Sequence, residues 1–194
     1  MAKSESFMKP WMWVVGVIVL VGLLLVGWMV GTYNTLVSLN TGVDKAWGDV
    51  ETNYQRRFDL IPNLVETVKG YAKQETQIFT EVAAVRSQWA GAATTDDKMR
   101  AAQASDGVIG RLIAVAEAYP ELMSNTNFLA LQDELAGTEN RISVSRQRFN
   151  EAVGSYNIKV KTVPSNIVAS LFGFEIKDMF KSESGADKAV KVAF

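Results

Sequence analysis

The side chains of this chain that could carry chemistry are carboxylates, lysines, arginines and tyrosines, because it contains 0 histidines and 0 cysteines. Without histidine there is no ordinary general base at neutral pH and no triad of the common kind. The most frequent zinc and iron ligand is also missing. Without cysteine there is neither a disulfide scaffold nor a thiolate nucleophile, and the redox compartment stays open. What survives is carboxylate, lysine or tyrosine chemistry, or a hard cation held by oxygen. A di-metal carboxylate centre of the helical-bundle kind needs Glu-x-x-His and is disfavoured on that ground. The carboxylate pairs Asp96-Asp97 and Glu117/Glu121 could share acid–base work, but they fall at helix starts or on exposed faces, where solvation is the simpler role. The expectation is a non-enzymatic protein with no cofactor and no metal. A carboxylate or oxygen-ligand hydrolase is the one enzymatic alternative.

Two stretches concentrate the remaining polar groups. YQRRFDLIPNLV holds Arg56, Arg57, Asp59, Pro62 and Asn63 between two segments of helical apolar spacing. Pro62 suits a first helical turn, Asp59 can cap it, and Arg56 and Arg57 suit the last turn of a preceding helix. The stretch therefore predicts a helix–helix corner, with Ile61 and Leu64 stapled against Tyr54 and Phe58. The alternative is a polar cluster at the bundle end, where Arg56 or Arg57 grips a partner's carboxylate or phosphate. ENRISVSRQRFN places Glu139, Arg146 and Asn150 at helical spacing, with Asn140 and Arg141 beside them. With Asn53, Asn63 and Asn157 these groups predict a polar layer inside a bundle, which fixes helix register at some cost in stability. Ordinary surface pairing at i, i+4 is the competing account. Trp47 and Trp89 read as core.

The elements that must position these groups begin with a span. No charged residue lies between Pro10 and Val43, and WMWVVGVIVLVGLLLVGWMV (Trp11–Val30) is almost purely apolar. At about 1.5 Å per residue, such a helix reaches roughly 30 Å, the thickness of the hydrocarbon layer. Trp11, Trp13, Trp28 and Tyr33 bracket it as interfacial aromatics. A cleaved signal peptide would have a shorter core and small residues where Trp28, Met29 and Tyr33 stand, so an uncleaved anchor is the reading. Lys3 and Lys9 precede the span and Lys45 follows it, which leaves the N-terminus in the cytoplasm and sends the large C-terminal part outward. Gly27 and Gly31 form a G-x-x-x-G pair that would allow close approach of a second membrane helix.

Beyond the span, Leu36, Leu39, Val43, Trp47, Val50, Tyr54 and Phe58 recur every three or four residues, one face of a helix. No proline separates this stripe from the span, so the two can form one long rod. Thr41-Gly42 and Asn34 are its weak points. A second stripe runs from Ile61 to Trp89, and a third helix from Asp97 to Tyr119. Thr94 and Asp97 stand at capping-box spacing before the third helix, and Pro120 stops it. The fourth stripe is Phe128, Leu131, Leu135, Thr138, Ile142, Ser145, Phe149, Ala152, Tyr156 and Val160, ending before Pro164. No stretch alternates with period two. The fold class is therefore all-α: an N-terminal transmembrane helix, an antiparallel four-helix bundle of long helices, and a short C-terminal apolar helix. The domain reading is a tail at 1–10, a transmembrane helix at 11–32, the bundle at 33–180 and a disordered tail at 181–194. In SNIVASLFGFEI, the residues Ile167, Leu171, Phe172 and Phe174 are too apolar to leave in water; the bundle end, lipid or a neighbouring subunit could cover them. Lys+Arg 20 against Asp+Glu 21 offers nothing to nucleic acid.

YNTLVSLNTGVDKAWGDVETNYQRRFDLIPNLVETVKGYA, YPELMSNTNFLALQDELAGTENRISVSRQRFNEAVGSYN and the proline-preceded SNIVASLFGF tail resemble the LemA family. The resemblance extends from the membrane span to Phe174. It implies a bacterial membrane protein with one N-terminal span and a helical bundle, and it supplies no activity. It implies kinship with a protein of magnetosome membrane formation, and some members encoded near membrane metallopeptidases hint at quality control. The functional expectation is a membrane-anchored helical scaffold that self-associates, as a homo-oligomer in the lipid bilayer, organising membrane or presenting a binding surface. The alternative is an adaptor that recruits clients or a membrane protein partner to a membrane protease or quality-control system.

Overall fold

Leu36, Val43, Val50, Tyr54, Phe58, Ile61, Leu64 and Val68 are all buried, with Leu39 and Trp47 half-buried between the first three, and the three- and four-residue spacing of this stripe holds across the proline at position 62. The computed structural model, which describes residues 10–181, accordingly contains one helix, α1, over Pro10–Tyr71. Five more follow: α2 (Thr76–Gly91), α3 (Thr95–Glu117), the single turn α4 (Pro120–Met123), α5 (Thr126–Lys161) and α6 (Ser165–Phe172). There is no strand among the described residues. The fold is all-α, with the long N-terminal apolar helix and, late in the sequence, the short apolar helix α6. The proposed tails at 1–10 and 181–194 lie outside the described residues, except for their inner ends.

The corner expected at DLIP is not there. Pro62 lies inside α1, which ends only at Tyr71. The proline removes one amide donor, but Ile61, Leu64 and Val68 extend the buried face of Tyr54 and Phe58, so continued burial outweighs the local cost. The reversal comes where the apolar stripe lapses, at Lys73, Gln74 and Glu75, with the Glu75 amide closing a turn onto the Ala72 carbonyl at 3.1 Å. Thr94 caps α3 as its spacing predicts: its hydroxyl accepts from the Asp97 amide at 3.1 Å and donates to the Asp97 carboxylate at 2.7 Å. Asn125 caps α5, its Oδ1 accepting from the amides of Asn127 and Phe128. Gly173, at φ 73°, closes α6 in the left-handed conformation, and the Phe174 amide reaches back to the Ala169 carbonyl at 2.9 Å.

The described residues form two compact units. One comprises α1 up to Gly42 with Gly154–Lys177; the other comprises Val43–Val153 with the chain from Asp178. In the second unit, side-chain registers define the bundle. Lys69 lies over Phe79 while Tyr54 and Phe58 meet Trp89, so α1 and α2 are antiparallel. Glu81 pairs with Arg111, so α2 and α3 are antiparallel. Glu51 meets Lys98 and Arg57 meets Asp106, so α1 and α3 run parallel. Arg56 meets Glu134 and Trp47 meets Phe149, so α5 returns antiparallel to α1. This is an up-down-up-down four-helix bundle. Its core includes small hydroxyl residues that serve their own backbone: Ser105, Thr138 and Ser145 donate to the carbonyls three residues earlier at 2.7–2.9 Å. After Phe149, burial passes to Val153 rather than Ala152, because a step of four keeps Phe149, Val153, Tyr156 and Val160 on one side of a 3.6-residue helix.

In the first unit, every residue from Trp11 to Trp28 is exposed. Burial begins at Thr32 and Leu36; Tyr156, Val160, Ser165, Val168 and Ala169 are the other buried residues of this unit.

Candidate functional site

The polar groups with the most buried surroundings lie in the bundle unit, on three helices. Arg57 occupies the buried face of α1, one turn from Tyr54 and Ile61, and is 6% exposed. Its Nη1 donates to Asp106 Oδ1 on α3 and to Glu139 Oε2 on α5, each at 2.7 Å. Asp106 Oδ2 accepts from Arg146 Nη1 on α5 at 3.2 Å, and the same nitrogen lies 3.5 Å from the Tyr54 hydroxyl. Two guanidinium and two carboxylate groups thus share one interior layer, and the formal charges cancel. Burial pushes the Tyr54 phenol well above its ordinary range, reinforced by the Asp106 carboxylate and opposed by Arg146 and Arg57. The phenol stays neutral and its proton is held. Arg57 Nε is buried without a partner, which marks the layer as costly to assemble.

Around this layer the aromatics complete the packing. Trp89 stacks on Phe58 at 5.1 Å and donates from Nε1 to Gln55 at 3.2 Å. The Arg146 guanidinium lies 4.8 Å from the centre of the Phe180 ring, which also meets Trp47 and Phe149. Asn150 holds Phe180 by both of its backbone groups: Oδ1 accepts from the amide at 2.9 Å and Nδ2 donates to the carbonyl at 3.0 Å. An open groove of about 370 Å³ borders Arg57, Asp106 and Glu139, lined on its other sides by Ile109, Ile113 and Leu135. A second groove, about 580 Å³, lies between Asp49, Asn53 and Thr52 on α1 and Asn140, Arg141 and Arg148 on α5.

Against the sequence expectations, the structure brings Arg57, Glu139 and Arg146 together and separates their presumed neighbours. Arg56 is exposed and makes a 3.5 Å pair with Glu134. Asp59 caps nothing, since no helix begins there; it accepts from Gln55 at 2.9 Å on the surface. Asn63 is exposed, and its carbonyl takes the Thr67 hydroxyl. Asn140 faces solvent on the second groove. Asn157, in the other unit, holds Lys177 as Asn150 holds Phe180, with bonds of 2.8 and 2.9 Å. Asp106 and the Tyr54 hydroxyl are members of the layer that the sequence expectations do not include. The signal was present: Asp106 falls four residues after Ala102 and three before Ile109, a charge set into the inward stripe of α3.

The arrangement is that of a charge-compensated spacer. Its acidic and basic groups, drawn from α1, α3 and α5, are engaged with one another. Among the described residues, no group of three or more metal-ligating side chains converges. The class is therefore a helical-bundle protein with one candidate membrane-crossing helix, long and apolar enough by length and composition. The LemA family model matches residues 46–194, and the chain belongs to the LemA family. It is similar to the magnetosome proteins MamQ 1 and MamQ 2 of Paramagnetospirillum magneticum, at 26% identity over 81% of this chain and 68% of theirs. MamQ of Magnetospirillum gryphiswaldense is 24% identical over the same shares. The apolar helix, the family and these relatives together fit a single-pass, membrane-associated helical protein.

Proposed function

We propose that this protein is a non-enzymatic scaffold of the bacterial inner membrane, held by its single span and self-associating to organise membrane or to present a binding surface. The carrying observation is the continuity of α1: one 62-residue helix supplies both an uncovered apolar stretch and the first buried stripe of the bundle. Gly27 and Gly31 lie on the uncovered stretch, where an added Cβ would meet nothing within 4 Å, so a second helix can approach closely. Similarity to magnetosome proteins supports a role at membranes. The charge bias of Lys3 and Lys9 against Lys45 favours a cytoplasmic N-terminus. Light scattering on detergent-extracted protein tests the reading: an oligomer that Gly27→Leu/Gly31→Leu dissociates supports it, and a clean monomer sinks it.

A second reading, an adaptor for a membrane protease or quality-control system, is favoured by the groove between α1 and α5. It sets Arg141 and Arg148 beside an exposed Val144, a mixed surface suited to a protein partner. Crosslinking in cells separates the two readings, since homotypic products favour the scaffold and one heterologous product favours the adaptor.

A further inference from the structure

The tail helix α6 is apolar on the side that its own unit leaves open. Ser165, Val168 and Ala169 are buried, yet Ile167 and Leu171 are 63% and 68% exposed, and Val163, Phe172 and Ile176 are exposed beside them. No charged residue occurs from Thr162 to Phe174; Lys159 and Lys161 stand just before, and Glu175 and Lys177 just after. A water-facing helix would carry polar groups at those outer positions.

The place of α6 explains the pattern. The uncovered stretch of α1 starts at Trp11, and twenty helical residues, roughly 30 Å, exhaust the hydrocarbon layer near Val30. Tyr33 follows at the level of an interfacial aromatic. Its ring lies 4.8 Å from Phe172 and 5.7 Å from Phe174, within the same unit, so α6 is held where lipid gives way to water. We propose that α6 and its flanks lie in the plane of the membrane interface, inserting Ile167, Leu171, Phe172 and Ile176 among lipid acyl chains, with Lys161 at headgroup level. The chain would then touch one bilayer twice, through a crossing helix and an in-plane one. The occupant of the exposed face is lipid because that face is continuous, through Tyr33, with the uncovered surface of the span. This inference rests on the span reading and extends it to the C-terminal segment.

With no native cysteine, single nitroxide labels can be placed cleanly in the full chain reconstituted into phosphatidylcholine/phosphatidylglycerol vesicles. Leu20→Cys reports the span, Val144→Cys the bundle surface, and Ile167→Cys and Leu171→Cys the proposed contact; circular dichroism verifies the helical content of each. Labels at 167 and 171 should show severalfold higher accessibility to oxygen, relative to a water-soluble nickel chelate, than the label at 144. If 167 and 171 behave like 144 while 20 remains in lipid, the proposal is overturned and the span stands. If 20 also reads as aqueous, the span reading fails and takes the proposal with it. Dipolar broadening at 171 that disappears on dilution with unlabelled chain would mean that a second copy covers the face, which also overturns the proposal.

Discussion

Arg57 on α1 and Asp106 on α3 meet at 2.7 Å inside the bundle, with side chains only 7% and 16% exposed. The pair ties the helix that emerges from the apolar span to a helix with no covalent neighbour in α1. Asp106 also receives Arg146, so a single carboxylate serves two guanidinium groups on two helices.

Removing that carboxylate should be costly. Asp106→Ala leaves Arg57 and Arg146 short of a counter-charge in a mostly buried layer, with an expected loss of about 3–5 kcal/mol. Glu139→Gln should cost under about 1 kcal/mol, because the Glu139 side chain is 50% exposed and water can replace it. Denaturant unfolding of the detergent-solubilised chain, followed by circular dichroism, gives both values. Equal losses would show that the layer is not organised around Asp106.

Pro62→Ala should stabilise the protein, by up to about 3 kcal/mol, since alanine restores an amide donor inside α1 and relieves the ring's clash with the Phe58 carbonyl. A helix corner at this position would give the opposite sign. The thermal unfolding midpoint decides.

Trp89 anchors α2 to α1 through Tyr54 and Phe58. Trp89→Ala should lose about 3–5 kcal/mol by opening a cavity against both rings. Gln55→Ala removes the acceptor of the indole N–H, together with an exposed bond to Asp59, and should cost about 1 kcal/mol. Tryptophan fluorescence of the Gln55 variant, followed during unfolding, reports the difference.

Stability should fall at both ends of the pH scale for separate reasons. Asp97 and Glu81 are held below their ordinary values, Asp97 chiefly by the Thr94 hydroxyl and then Arg100, Glu81 chiefly by Arg111 and then Gln77. A depressed carboxylate contributes stability above its unfolded value, 3.8 for Asp97 and 4.5 for Glu81, and that contribution is lost as pH drops below it. Asp97→Asn and Glu81→Gln should each flatten the acid limb of the unfolding midpoint. Tyr54 is shifted upward by burial, so its contribution is full below pH 10.0 and declines as pH rises further, where the unfolded chain ionises first. Tyr54→Phe should flatten the alkaline limb and leave the acid limb unchanged.

Much of the architecture was legible in the residues. The run Trp11–Val30, the stripes of α1 and α5 and the Thr94–Asp97 cap follow from local periodicity and local hydrogen bonding, which a sequence carries explicitly. Arg57 was legible as a site and misjudged in its surroundings. Its expected role at a helix end assumed that Pro62 starts a new helix, a local rule. In the structure, tertiary burial of Ile61, Leu64 and Val68 carries the helix past the proline to the hydrophilic gap after Ala72.

By itself, then, the sequence determined that the chain is all-helical, that it has a lipid-compatible stretch, and that it lacks the groups for histidine or thiol chemistry, because these depend on composition and spacing alone. The partnership of Arg57, Asp106, Glu139 and Arg146 was decided only by the tertiary structure, as was the seating of Phe172 against Tyr33. Such contacts depend on which helix faces meet across 40 to 139 residues of chain, and the energy of a charge or an aromatic ring is set by what then surrounds it.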